Sequence, residues 1–115
     1  MIEQAVIKEL DRAIESIRSY GETPQNKPAE YLLVEKNDCN MEDQIWHSVI
    51  EVQSISKKSK SRASYINDQV IRLLRNFCNE NIAACELETS YSSTKTATKE
   101  YCFKAVFNIT HYQED

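Results

Sequence analysis

The stretch YCFKAVFNITHY, Tyr101 to Tyr112, decides the fold. Tyr101, Phe103, Ala105, Phe107 and Ile109 recur at every second position, with His111 next in line. Lys104, Asn108 and Thr110 fall between them. Strand side chains alternate with a period of two, so the stretch reads as one long β-strand with an apolar face. It places this end of the chain inside a sheet.

Working back from this strand, TKTATK (Thr94 to Lys99) reads as a polar hairpin loop. The segment from about Cys85 to Ser92 reads as its partner strand, with Cys85, Leu87, Thr89 and Tyr91 on one face. Before it, Ala63, Ile66, Val70, Leu73, Leu74 and Phe77 recur at helical spacing and predict a helix over roughly 63–79. Ile45 to Ile55 reads as another strand, with Trp46, Ser48, Ile50 and Val52 on one face and Ile45, His47, Val49 and Glu51 on the other. YLLVEK, Tyr31 to Lys36, reads as a strand that is apolar on both faces. NDCNMEDQ, Asn37 to Gln44, is read as a polar, acidic connection, and GETPQNKPAE as a loop punctuated by Pro24 and Pro28. At the start, Ile2, Val6, Leu10, Ala13, Ile14 and Ile17 predict a helix over about 2–20, with Gly21 as its left-handed cap.

The expected fold is therefore α+β: order α-β-β-α-β-β, a four-stranded, mainly antiparallel sheet with two helices packed on one face. One domain spans residues 1–115, a length at which a single core is sustainable without staples. Two helices cover only one face of such a sheet. Tyr31, Leu32, Leu33, Val34, Val49, Val106 and Tyr112 leave apolar side chains for the other face, which predicts self-association.

Composition narrows the function. Apolar residues make up 41% and charged residues 28%, as in ordinary globular proteins. No apolar run approaches the roughly 20 residues that span a bilayer. Glu3, Lys8, Glu9 and Asp11 do not fit a secretory signal, so synthesis in the cytoplasm is expected. A net charge of −4 argues against general nucleic-acid binding. Gly21 is the sole glycine, which excludes glycine-rich phosphate loops and with them nucleotide cofactors. Cys39, Cys78, Cys85 and Cys102 form no CxxC pair and read as reduced small hydrophobes, with a zinc site or disulfides as the weaker alternatives. His47 and His111 lie in strands, with no Ser, Cys or carboxylate placed by sequence to complete a triad, so no enzyme is expected.

Charge patterning supplies the candidate sites. Lys57, Lys58, Lys60 and Arg62 crowd the approach to the second helix, where the helix dipole disfavours cations. They read either as a solvated turn or as a docking patch for an acidic surface. Asp38, Glu42 and Asp43 supply such a surface within the chain, which suggests contact between copies. Thr94, Lys95 and Thr96 at the second hairpin are the other candidate interface residues.

Together these pieces resemble a family. The opening MIEQAVIKEL helix, PAEYLLVEK, IWHSVIEVQSISKKSKSRASYINDQVIRLL and YCFKAVFNITHY occur in the order found in small tail terminator, or tail-to-head joining, proteins of long-tailed phages, in the form seen in Gram-positive prophages. The resemblance spans nearly the whole chain and rests on the sum of these pieces, not on one motif. It implies a structural protein without enzymatic activity or cofactor, made in the host cytoplasm and carried into the virion at the tail-to-head junction. It implies a ring, hexameric on assembly, that caps the head-proximal end of the tail tube, touches the tail tube protein and the head stopper protein, and lets DNA pass through its channel; before docking a free monomer or weak oligomer is expected. It implies no membrane partner. The alternatives are another neck or head-completion protein (a stopper or adaptor) and a small nucleic-acid-binding domain using KKSKSR.

Overall fold

Strands Ile45–Ser56 (β3) and Tyr101–His111 (β5) lie antiparallel at the centre of the sheet, pairing Ile50 with Phe107, Val52 with Ala105 and Ser48 with Ile109. The computed structural model describes residues 2–14, 17–43, 45–77, 82–93 and 100–112. Around the central pair, Glu30–Glu42 (β2) flanks β3 and Ile82–Ser92 (β4) flanks β5, both antiparallel. The two-residue strand Ser19–Tyr20 (β1) adds to β2 in parallel. The result is an α+β fold with a five-stranded mixed sheet in the order β1-β2-β3-β5-β4, and helices Ile2–Ala13 (α1) and Lys60–Arg75 (α2).

Alternation along β3 and β5 runs as the sequence dictates. Val6 and Leu10 of α1 join Ile66, Val70 and Leu74 of α2 over Leu32, Val34, Ile50, Val52, Ala105, Phe107 and Ile109. Both helices thus share one core on one sheet face. Each fully buried side chain of this kind contributes about 1.5–3 kcal/mol relative to exposure.

The expected four-strand sheet is corrected to five, because the first helix stops at Ala13 and not near Tyr20. Ile14 and Ile17 stay buried beyond the helix. The Asp11 Oδ1 accepts from the Ser19 backbone N–H at 2.7 Å, and the Leu32 N–H donates to the Arg18 carbonyl at 3.0 Å. These bonds turn the chain into the sheet, where two residues suffice to form β1. Gly21 has no positive φ and caps no helix.

The supposed connection Asn37 to Gln44 is strand for most of its length. β2 continues to Glu42 and pairs with β3 as far as Glu42 opposite Ile45, with a bulge between Lys36 and Asp38. Its polar residues are tolerated because this part of the ribbon is largely solvated, whereas its backbone bonds are satisfied by β3. The turn at the tip includes Asp43 at φ 52°; Gln44 lies outside the described residues.

α2 begins at Lys60, earlier than the apolar stripe suggests, because Ser59 is its N-cap and accepts from the Arg62 N–H at 3.1 Å. The helix ends at Arg75, short of the expected 79; residues 78 and 79 lie outside the described residues. In β4 the expected single face is split. Cys85 and Leu87 pair with Ile109 and Phe107, but a register shift between Leu87 and Thr89 places Thr89 and Tyr91 opposite Val106 and Lys104. One extra residue in a strand sends all later side chains to the other face.

The second sheet face carries its own small cluster: Tyr31, Leu33, Ile55 and Cys102, with Tyr20 packed edge-on against Tyr31 at 6.1 Å between ring centres. This part of the face is buried within one copy of the chain, so it does not itself demand a partner. Among the described residues, the exposed large apolar side chains are Met41, Tyr65, Leu87, Tyr91 and Tyr112.

Candidate interaction surfaces

Glu30 organises the basic turn. Its carboxylate accepts two bonds from Arg62, Nε to Oε2 at 2.8 Å and Nη2 to Oε1 at 3.1 Å. Ser56 Oγ donates to the same carboxylate at 3.0 Å, and the Lys58 ammonium lies 3.8 Å away. Ser56 Oγ also accepts from the Lys58 backbone N–H at 3.1 Å, which fixes the path from β3 into α2. The Arg62 hydrogen bonds hold the Glu30 carboxyl below its ordinary range against the opposing effect of burial; Ser56 and the charges of Arg62 and Lys58 add to this. The same pair raises Arg62.

Two of the four cations are thereby engaged within the chain. Lys57 and Lys60 remain exposed. Among the described residues neither takes part in a salt bridge. Sequence reasoning missed Glu30, because its place opposite Ser56 at the start of β2 is set by strand pairing and not by local sequence.

Beside the turn, Lys60, Ser61, Ser64, Tyr65 and Asp68 of α2 and Phe103 of β5 line an open groove. The Arg62 guanidinium sits over the Tyr65 ring at 5.4 Å, and the Gln69 amide donates to the Tyr65 hydroxyl at 3.2 Å. Tyr65 is therefore held in place while remaining exposed.

Asp38, Glu42 and Asp43 lie at the other end of the β2–β3 ribbon, and all three are exposed. Asp38 Oδ1 accepts from the Cys39 N–H at 2.8 Å. The twelve residues of β3, at about 3.3 Å each, separate the acidic tip from the basic turn by roughly 35–40 Å. The molecule is 45 Å along its longest axis. The acidic and basic groups are thus not brought together within one chain. Met41 is 56% exposed and cross-strand from the half-buried Trp46, so the tip also carries apolar surface. Thr94, Lys95 and Thr96 lie outside the described residues.

His111 has a partner that its sequence position did not reveal. Its Nε2 lies 2.7 Å from Ser48 Oγ, which in turn donates to Cys39 Sγ at 3.3 Å. The pairing follows from register: Ser48 lies opposite Ile109 and Trp46 opposite His111, so Ser48 and His111 are diagonal neighbours on one face. Both side chains are buried and neither lines a described cleft. The pair satisfies two buried polar groups.

The second face holds a partly enclosed cleft of about 280 Å³, walled by Lys27, Glu35, Gln53, Glu100 and Lys104 over Tyr31 and Leu33. Lys27 Nζ and Glu100 Oε1 lie 3.4 Å apart, and Lys104 Nζ and Glu51 Oε2 3.9 Å apart. Burial, then the Glu100 charge, raises the Tyr31 phenol above its usual value and keeps it neutral. Burial pushes the Cys85 thiol up to about 12. Among the described residues Cys85 is a free, buried thiol, and no group of three or more His, Cys, Asp or Glu is placed to hold a metal ion. No helix among the described residues is long and apolar enough to cross a membrane. No protein-family model matches the chain, and no curated protein matches it either.

Proposed function

We propose that this chain is a structural protein of a phage or prophage tail, which caps the head-proximal end of the tail tube as a ring and joins tail to head. The observation that carries the reading is the elongated sheet with opposed ends: an acidic, apolar-edged hairpin tip at one end and exposed lysines at the other. Such a subunit suits head-to-tail contact, and rotation between successive copies closes a ring. The order of the sequence pieces MIEQAVIKEL, PAEYLLVEK, IWHSVIEVQSISKKSKSRASYINDQVIRLL and YCFKAVFNITHY resembles that of the tail terminators. The tail tube protein and the head stopper protein are the proposed partners, with a hexamer as the assembled state and DNA in its channel. No catalytic role is assigned to any residue.

A nucleic-acid role for the basic turn is disfavoured by Glu30, which engages Arg62 and Lys58 and leaves two lysines facing outward. Another neck protein, a stopper or adaptor, belongs to the same assembly class and is an outcome of the same experiment. That experiment is negative-stain microscopy of lysates from the phage or prophage with this gene deleted. Overlong tubes, or finished tails detached from filled heads, support the terminator reading. Normal tails beside heads that leak DNA transfer the role to a stopper. Normal joined virions overturn both.

A further inference from the structure

The groove along the first turns of α2 has the wrong chemistry to stay empty and the right chemistry for one segment of the chain. Its floor is aromatic, Tyr65 and Phe103, and Lys60 stands at its rim, with Lys57 just before the helix. The hairpin tip presents the complement: Met41 for the aromatic floor, and Glu42 and Asp43 for the lysines. Methionine sulfur packs favourably against aromatic rings. Opposite charges at a rim steer and align such a contact.

The sides of the sheet agree as well. Met41 pairs with Trp46, which pairs with His111, and His111 lies on the face that carries the helices. The groove is on that face too, since α2 forms one of its walls. A tip that cannot fold back across roughly 35–40 Å of its own strand can reach only another copy. Copies displaced along the long axis keep the same face toward the helices, so the match needs no inversion. Asp68 lies eight residues beyond Lys60, about 12 Å along the helix, and repels a carboxylate there. It confines the acidic tip to the lysine end and sets the register.

We infer that the β2–β3 hairpin tip of one copy docks in the α2–Phe103 groove of the next, with Met41 on Tyr65 and Phe103 and with Glu42 and Asp43 on Lys57 and Lys60. This deepens the ring reading and rests on it for the number of copies. The contact itself is tested on purified protein, so the two can fail separately. A tip this small buries less than a standard interface, and the association is correspondingly weak in the absence of other virion proteins.

The test uses sedimentation velocity at high protein concentration and low ionic strength, with carbodiimide cross-linking mapped by mass spectrometry. Because the two ends of one chain are far apart, a zero-length link from Glu42 or Asp43 to Lys57 or Lys60 joins two copies. Wild type is expected to associate and to give those links. Glu42→Lys with Asp43→Asn, and separately Lys57→Glu with Lys60→Glu, each weaken self-association about tenfold or more. Circular dichroism establishes that both variants are folded. Mixed together, the two variants present complementary ends and regain association. A wild type that sediments as a monomer at every concentration overturns the docking. So do links confined to other residues, or reversed variants that associate like wild type.

Discussion

Glu30 and Arg62 show how a surface feature becomes a structural one. The Glu30 side chain is 8% exposed, whereas that of Arg62 is 37% exposed. Removing the arginine strands a largely buried carboxylate; removing the carboxylate frees an arginine that water can serve. Arg62→Ala should therefore destabilise the fold by about 1–2 kcal/mol, with exposure holding it below a fully buried pair, read from urea unfolding. The pH dependence follows from the sign of the shift. A carboxyl held below its ordinary value near 4.5 contributes stability above that value and loses it as pH falls through the lowered one. Glu30→Gln should flatten the acid limb of the stability profile there; an unchanged limb would exclude Glu30 as its source. The thiols differ in the same local way. Cys85 is buried with its pKa at about 12, and Cys39 is half-exposed. Iodoacetamide should label Cys39 before Cys85 in the native protein, and Cys85 only on unfolding; equal rates for these two in a mass-resolved time course would contradict the burial.

At the scale of elements, the hairpin tip turns on Asp43 in the left-handed region. Glycine adopts that region without penalty, and a β-branched residue does so poorly. Asp43→Gly should leave thermal stability unchanged or slightly raised, whereas Asp43→Val should cost about 1–2 kcal/mol. Equal melting temperatures for the two would show that the turn tolerates either. The strands with strong alternation, β3 and β5, were legible in the sequence, as were the apolar stripe of α2 and the Ile2, Val6, Leu10 part of the α1 stripe; Ala13 is exposed, and Ile14 and Ile17 lie beyond that helix. The acidic arm was not, because local polarity at Asn37 to Glu42 mimics a loop, and only pairing with β3 makes it strand. β1 was not legible because two residues carry no periodicity, and the bonds that place it come from Asp11 and Leu32. The bulge in β4 hides in the same way, since one inserted residue leaves each half-strand looking regular. Among the candidate site residues, the sequence showed the charges but not the distance between them, which is set by the length of β3.

For the molecule as a whole, the two faces of the sheet are unequal. Leu32 belongs to the main core under the helices, and its neighbour Leu33 to the small cluster on the second face. Leu33 also borders the cleft, so its surroundings have room to adjust. Leu32→Ala should cost about 3–5 kcal/mol and Leu33→Ala nearer 2 kcal/mol, compared by denaturant midpoints at equal m-values. A reversed order would mean that the second face carries more of the stability than its packing indicates. The sheet order has a further consequence, for synthesis. β5 sits between β3 and β4, and a ribosome makes it after both. Until Tyr101–His111 emerges, the nascent β3 edge is an open template that carries Ile50, Val52 and Ile55. Neighbouring ribosomes on one message hold several such edges close together. A β5 strand from one nascent chain can then complete the sheet of another, so crowded translation favours exchanged dimers whose subunits are each correctly folded.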